Sequence, residues 1–400
     1  MRVSETPQAS ILEAFGAQPR ECEELLIYNE NLFQISQLFA AAQLPLEDES
    51  FVAFWEQSVA EASLWGSVAA LTGKLPQLSF PIAPGISASA AYVAATRRGV
   101  APAALPEATG LRLRQPESLE IVLHQSAAGR IPLLVTRCRE DFVSLVQALT
   151  RRNEPSPIPA AMGAQMVSGY NNWARLNALR ADWEASDPSR RETATWNDEM
   201  ERLRSRRELY QDRFILLSDG PYSAVPAASL GLDEARWREL SLVIRREHEC
   251  THYFTRRLFG VMRNNLLDEL IADYVGVASA VGHLEPAWLL RFFGLEDAPR
   301  YRAGGRLEVY RGTPPLSDGA FVVMQRLVVA AIGNLARFDA ACRPPMQTPV
   351  DRALLIAALA AMRLEDLAAD SPSNSAVERL TREYEHARTW RPAADRPAEA

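Results

Sequence analysis

The chain carries the pattern H-E-x-x-H as His248, Glu249, Cys250, Thr251 and His252, within a stretch whose apolar residues recur at helical spacing. On an α-helix, residues four apart share a face one turn apart, so both imidazoles are predicted to point the same way with Glu249 beside them. Their stripe also holds Leu240, Ile244, Thr255 and Phe259, and such a stripe is expected to face a core. Burying two imidazoles and a carboxylate without partners costs about 1 to 3 kcal/mol per group. A shared cation satisfies them together. The plainer alternative, two core histidines on a buried helix, leaves that cost to be met group by group.

A cation that does chemistry usually holds three protein side chains and keeps one position open. The periodicity predicts a helix from Asp233 to Gly260 and a second from about Met262 to Gly282. On the second, Glu269 and Asp273 are four apart and share a stripe with Leu266, Leu270 and Val277, where carboxylates are out of place. Glu269 is expected to be the third ligand. Asp273 is expected to stand behind a ligand histidine, accepting the proton of its other ring nitrogen. Nitrogen donors with one carboxylate favour zinc, although ligand type also admits iron or manganese.

These residues resemble the gluzincin, or thermolysin-like, metallopeptidases, in which H-E-x-x-H is completed by a glutamate in an E-x-x-[AS]-D motif on a later helix. Glu269, Leu270, Ile271, Ala272 and Asp273 match that second motif. The resemblance implies zinc ligation by His248, His252 and Glu269, general-base work by Glu249, support from Asp273, and zincin-like packing of the two helices. It covers about residues 248–276.

Four hundred residues of ordinary globular composition, 48% hydrophobic and 23% charged, allow a large core. A net charge of -7 gives no general attraction for nucleic acid. Every basic residue except Lys74 is arginine, and Lys74 lacks the glycine pattern of a phosphate-binding loop. Cys22, Cys138, Cys250 and Cys342 are too scattered for a disulfide framework. No secretion signal is legible, and the most apolar run, Phe321 to Phe338, contains Gln325, Arg326, Asn334 and Arg337. A soluble cytoplasmic protein with no membrane partner is expected.

The predicted fold class is α+β and predominantly helical, with a few short strands. Residues 1–154 read as a mainly helical lobe, including helical spacing at Leu32, Phe33, Ile35, Leu38 and Phe39, and a strand pair at Leu119–Leu123 and Arg130–Thr136. Residues 155–390 read as the metal-binding lobe, entered through the proline-rich Pro155–Pro159, and residues 391–400 as a disordered tail. Within the second lobe, Met162–Trp173 reads as a loop shaped around something or as a plain structural turn, Arg213–Ser218 and Arg306–Tyr310 as strands, and Phe321–Asp339 and Ala353–Leu367 as helices.

The expected chemistry is hydrolysis of a peptide or small amide, with Glu249 activating a metal-bound water. The β-strand at Arg213–Ser218, or that at Arg306–Tyr310, would offer an edge to an extended peptide. The runner-up is a metalloenzyme acting on a small molecule in specialised biosynthesis, and the third reading is a non-enzymatic protein whose metal staples two helices. Tyr222, Tyr253 and Tyr310 are candidate phenol donors. His283 is a candidate oxyanion donor or a substitute for Glu269, against the alternative of a helix cap. Cys250 faces away from the histidines and reads as packing. His124 and His386 belong to no visible cluster.

Overall fold

In the computed structural model, which describes residues 6–33, 42–186, 195–262, 264–371 and 374–390, helices dominate and accompany one mixed four-stranded sheet. The α+β character expected from the sequence is present. The chain begins with α1 (Pro7–Ala14) and α2 (Pro19–Tyr28), then α3 (Val52–Trp65), α4 (Ser67–Thr72) and α5 (Ala90–Arg98). Next come β1 (Glu120–Ser126), β2 (Gly129–Thr136), α6 (Arg139–Thr150), β3 (Ala164–Asn171), α7 (Trp173–Ser186), α8 (Trp196–Leu203) and β4 (Gln211–Ser218). The remainder is α9 (Glu234–Phe259), α10 (Asn265–Val281), α11 (Pro286–Phe293), α12 (Asp318–Cys342), α13 (Pro349–Ala360), α14 (Leu364–Ala368), the two-residue strands β5 (Asp370–Ser371) and β6 (Asn374–Ser375), and α15 (Ala376–Arg388). Much of the helical pattern read at Leu32–Phe39, and the tail after residue 390, lie outside the described residues.

The chain forms two compact units that cross sequence order: Met1–Glu47, Ser126–Ala128 and Pro221–Ala400 make the first, Asp48–Gln125 and Gly129–Gly220 the second. The expected division at residue 154 does not coincide with them. The proline-rich segment lies inside the second unit because it is tied back to α6: Gln147 donates to the Ser156 carbonyl at 2.7 Å, and Arg139 to the Pro159 carbonyl at 2.7 Å.

The second unit is built on the sheet, ordered β1-β2-β4-β3. β4 is one of its two inner strands, parallel to β2 (Leu133 opposite Ile215) and antiparallel to β3 (Met166 opposite Ile215). Phe214 to Leu217 are buried in succession, as befits a strand covered on both faces. The expected loop at Met162–Trp173 is thus largely strand β3. Its glycine at 169, with φ of +71°, sits where the register shifts between Ser168 and Tyr170, so the glycine marks a bulge rather than a loop.

In the first unit α9 matches the predicted helix closely. Asp233 caps its start, accepting from the Arg236 amide at 2.8 Å, and Gly260 closes it in the left-handed region at φ of +71°. α10 returns antiparallel along α9. A Cβ on Gly276 would lie 2.7 Å from the Ile244 carbonyl oxygen, so only glycine permits the helices to approach this closely one turn from His248 and Asp273. α13 is buried along Val350–Ala360, an apolar helix enclosed by its neighbours. α12 is long and apolar enough to cross a membrane, but 56% of its most apolar window is buried inside the fold. The run predicted as one helix at Ala353–Leu367 breaks between α13 and α14, where the Arg363 amide donates to Asp366 at 3.2 Å. Arg306–Tyr310 is a 3-10 turn, not a strand; Gly304 and Gly305 precede it and the Glu308 amide returns to the Gly305 carbonyl at 3.2 Å.

Candidate metal centre

The antiparallel register of α9 and α10 sets His248 beside Asp273 and His252 beside Glu269. His248 Nε2 and His252 Nε2 lie 3.1 Å apart. Glu269 Oε2 is 3.6 Å from the first and Glu269 Oε1 3.6 Å from the second. These three side chains form a cluster whose ligand atoms all lie within 4.8 Å of one another. A tetrahedral zinc with bonds of about 2.0 to 2.1 Å holds its ligand atoms about 3.3 Å apart. The donor set therefore has the identity and spacing a zinc-sized cation needs.

The surrounding bonds orient these donors. His248 Nδ1 is 2.9 Å from Asp273 Oδ1; with Asp273 accepting the Nδ1 proton, Nε2 turns its lone pair to the cluster. Tyr222, held by its amide to the Ser241 hydroxyl at 2.9 Å, donates to Asp273 Oδ1 at 2.6 Å and lies 2.9 Å from His248 Nδ1. Arg306 binds Asp273 Oδ2 directly and donates to the Tyr222 hydroxyl at 3.1 Å and to Ser223 Oγ at 2.9 Å. The Tyr310 hydroxyl donates to Glu269 Oε2 at 2.7 Å. Among the described residues His252 Nδ1 is buried with no hydrogen-bond partner, and Asp268 Oδ2 stands 3.6 Å from it.

Burial works against charge throughout. It pulls His248 down, yet Asp273, Glu269 and Glu249 carry its pKa above the usual value. In His252 burial, followed by the His248 charge, outweighs the opposing pull of Glu269 and Asp273 and lowers it to about 4. Burial opposes ionisation of Asp273, but Arg306, His248 and Tyr222 hold it below the usual range. Glu269 is lowered in the same way by His252, His248 and Arg306. Asp268 is pushed up to about 8 by burial, with Glu269 adding. Glu249, half-buried on α9, is raised by burial, with His248 and Arg245 opposing and Glu269 adding. A proton acceptor with a raised pKa beside convergent donors is an arrangement suited to acid-base work near neutrality.

The structure thus brings together His248, His252, Glu269 and Asp273, with Glu249 beside them. Tyr222 and Tyr310 join the cluster, whereas Tyr253 lies under the Arg257 guanidinium. His283 is exposed and paired with Glu285 at 2.7 Å, so it is no substitute for Glu269. Cys250 is buried and its thiol is pushed well up by burial. His386 packs against Trp390. Arg306 and Asp268 were not singled out from the sequence: Arg306 looked like a strand residue, and its only signal was that a buried Asp273 needs a cation. Asp268 stood next to Glu269 in plain view, but only the antiparallel register aims it at His252.

The chain matches DUF7005, a family of unknown function, over residues 10–371, and belongs to that family. No curated protein and no solved structure matches it.

Proposed function

We propose that this member of DUF7005 is a metal-dependent hydrolase of peptide or amide bonds, with zinc held by His248, His252 and Glu269 and with Glu249 as general base. The observation that carries this reading is the convergence of two imidazole nitrogens and a carboxylate at 3.1 to 3.6 Å. The gluzincin resemblance of residues 248–276 supports the same roles. A bound divalent cation would polarise the substrate carbonyl and make a nearby water more acidic.

The chain's own residues do the rest. Asp273 fixes the His248 tautomer, and Arg306 keeps Asp273 ionised. Tyr310 fixes the rotation of the Glu269 carboxylate. Glu249 takes a proton from the attacking water and passes it to the leaving amine as the C–N bond breaks.

A small-molecule substrate is the second reading. β4 is enclosed between β2 and β3, and Arg306–Tyr310 is a 3-10 turn, so neither offers the free strand edge anticipated for an extended peptide. With His248 and His252 only 7% and 8% exposed, access suits a small amide better than a bulky one.

Protein purified without added metal should carry about one zinc per chain. Glu249→Gln keeps the ligands and the side-chain size, so it should retain the metal while hydrolysis across a panel of small amides and peptides falls about 100-fold or more. Loss of the metal in this variant would make Glu249 a structural partner. Retention of both metal and full activity would overturn the mechanism.

A further inference from the structure

The N-terminal segment from the end of α2 is more than 200 residues from the ligands in sequence, yet two routes run from it towards them, one hydrogen-bonded as far as Asp268, which stands 3.6 Å from His252, and one hydrogen-bonded all the way to Glu269. On the first, the Leu32 amide donates to Asn264 Oδ1 at 3.2 Å and Asn264 Nδ2 donates to Asn31 Oδ1 at 2.9 Å. The Asn264 amide then donates to Asp268 Oδ1 at 2.8 Å, leaving Asp268 Oδ2 turned towards the unpartnered His252 Nδ1. On the second, the Tyr28 hydroxyl donates to the Tyr310 carbonyl, and the Tyr310 hydroxyl donates to Glu269 Oε2 at 2.7 Å.

The segment itself is firmly held. Asn31 Nδ2 donates to the carbonyls of Ala360 and Met362, each at 2.8 Å. Asn29 donates to the buried Glu365 at 2.9 Å, and Phe33 packs on Phe259 with ring centroids 5.5 Å apart. A strap anchored at α13 and at the end of α9 can set the position of Asn264 and of the Tyr310 turn together.

From these routes we infer that Tyr28–Phe33 is a positioning strap for the proposed metal centre, acting on His252 through Asn264 and Asp268 and on Glu269 through Tyr310. The inference rests on the metal reading above. None of the strap residues hydrogen-bonds to a ligand among the described residues; each acts through another residue. Groups that orient metal ligands from behind typically alter affinity by about 10 to 100-fold, and removing one contact further back should fall at the lower end.

The test is zinc affinity, measured by competition with a chromophoric chelator, alongside the melting temperature of the metal-free protein. Asn31→Ala and Tyr28→Phe should each weaken zinc binding by about 10-fold. Asp268→Asn combined with Asn31→Ala should weaken it little more than Asp268→Asn alone, because both act on one route. A merely structural strap would lower the melting temperature and give additive effects on affinity, which would overturn the route through Asp268. Tyr28→Phe loses a single hydroxyl and keeps the test decisive should Asn31→Ala fold poorly. A wild-type protein that takes up no zinc would overturn the metal reading and the strap with it. A wild type that binds zinc, with both single variants binding equally tightly, would overturn the strap alone.

Discussion

Asp212 in the second unit and Glu269 in the first are both carboxylates set among apolar side chains, but their surroundings balance differently. Asp212 is met by the Arg175 guanidinium, by Trp55 Nε1 at 2.9 Å and by Asn172 Nδ2 at 2.6 Å. Arg175 spends its other donors on Ser50 Oγ at 2.8 Å and the Glu208 carbonyl at 2.9 Å. That network supplies one cation and several donors to one carboxylate. Around Glu269, by contrast, Glu249, Asp268 and Asp273 are faced by Arg245 and Arg306, and two imidazole nitrogens approach each other at 3.1 Å. Charge there is shared among groups with shifted pKa values, Asp268 pushed up to about 8 and Glu249 and His248 both raised, and several acceptors converge. A closed network of the first kind holds a fold, whereas in the proposed metal centre the convergent donors of the second would be satisfied together by a cation.

The sharpest way to break this contrast is to remove a ligand. His248→Ala or His252→Ala should abolish stoichiometric zinc, and a chelator that lowers the melting temperature of the wild type should leave these variants unmoved. Elemental analysis and thermal melts read both. Metal retained at wild-type level in both variants would mean that the convergence of these side chains has another explanation. The converse experiment is Asp212→Ala, which strands a buried guanidinium. It should destabilise the protein by about 3 to 5 kcal/mol in chemical denaturation while leaving the metal content of the folded fraction unchanged.

The same contrast explains how much could be read beforehand. His248, His252, Glu269 and Asp273 were legible because helical spacing converts sequence distance directly into a shared face, and because carboxylates on an apolar stripe are conspicuous. The strands β1, β2 and β4 were legible from β-branched runs. β3 was not, since glycines and asparagines are common both to loops and to a bulged strand, and only pairing with β4 decides between them. Arg306, Tyr222 and Tyr310 reach the cluster from turns whose placement is set by long-range contacts. Asp212 and Arg175 gave no signal, as one acid and one arginine among many look like a solvated surface until the fold brings them together. The two-unit division was hidden for a related reason: Pro155–Pro159 is tied back to α6, and nothing in its composition tells such a loop from a linker.

A finer test separates orientation from charge. Asp273→Asn keeps the shape and an oxygen acceptor but loses the charge that Arg306 and His248 share. Zinc affinity should fall by about 10 to 100-fold, less than the loss on removing an imidazole. Unchanged affinity would show that Asp273 serves Arg306 alone, which would make this corner of the first unit a closed network like that of Asp212.

Glu365 lies between the two cases and gives the smallest expected effect. One of its oxygens accepts from Asn29 at 2.9 Å, while the other is buried without a partner. Burial pushes its pKa up to about 7 from the usual 4.5, with Asp366 adding and the Asn29 hydrogen bond and Arg363 opposing. Because the folded state holds this proton more tightly than the unfolded chain, the stability is fully present below pH 4.5. It is lost as pH rises towards 7, beyond which this group contributes no further change. At about 1.4 kcal/mol per unit, ideal linkage across that window amounts to about 3 to 4 kcal/mol. A glutamine leaves an amide dipole in the same apolar place, so Glu365→Gln should recover only about half, about 1 to 2 kcal/mol above pH 7.5, and nothing near pH 4.5. Denaturation curves of the metal-free protein at the two pH values read the difference. A gain of equal size at both would tie it to packing instead of to the proton, and a loss at the higher pH would mean that the Glu365 charge is compensated in the fold.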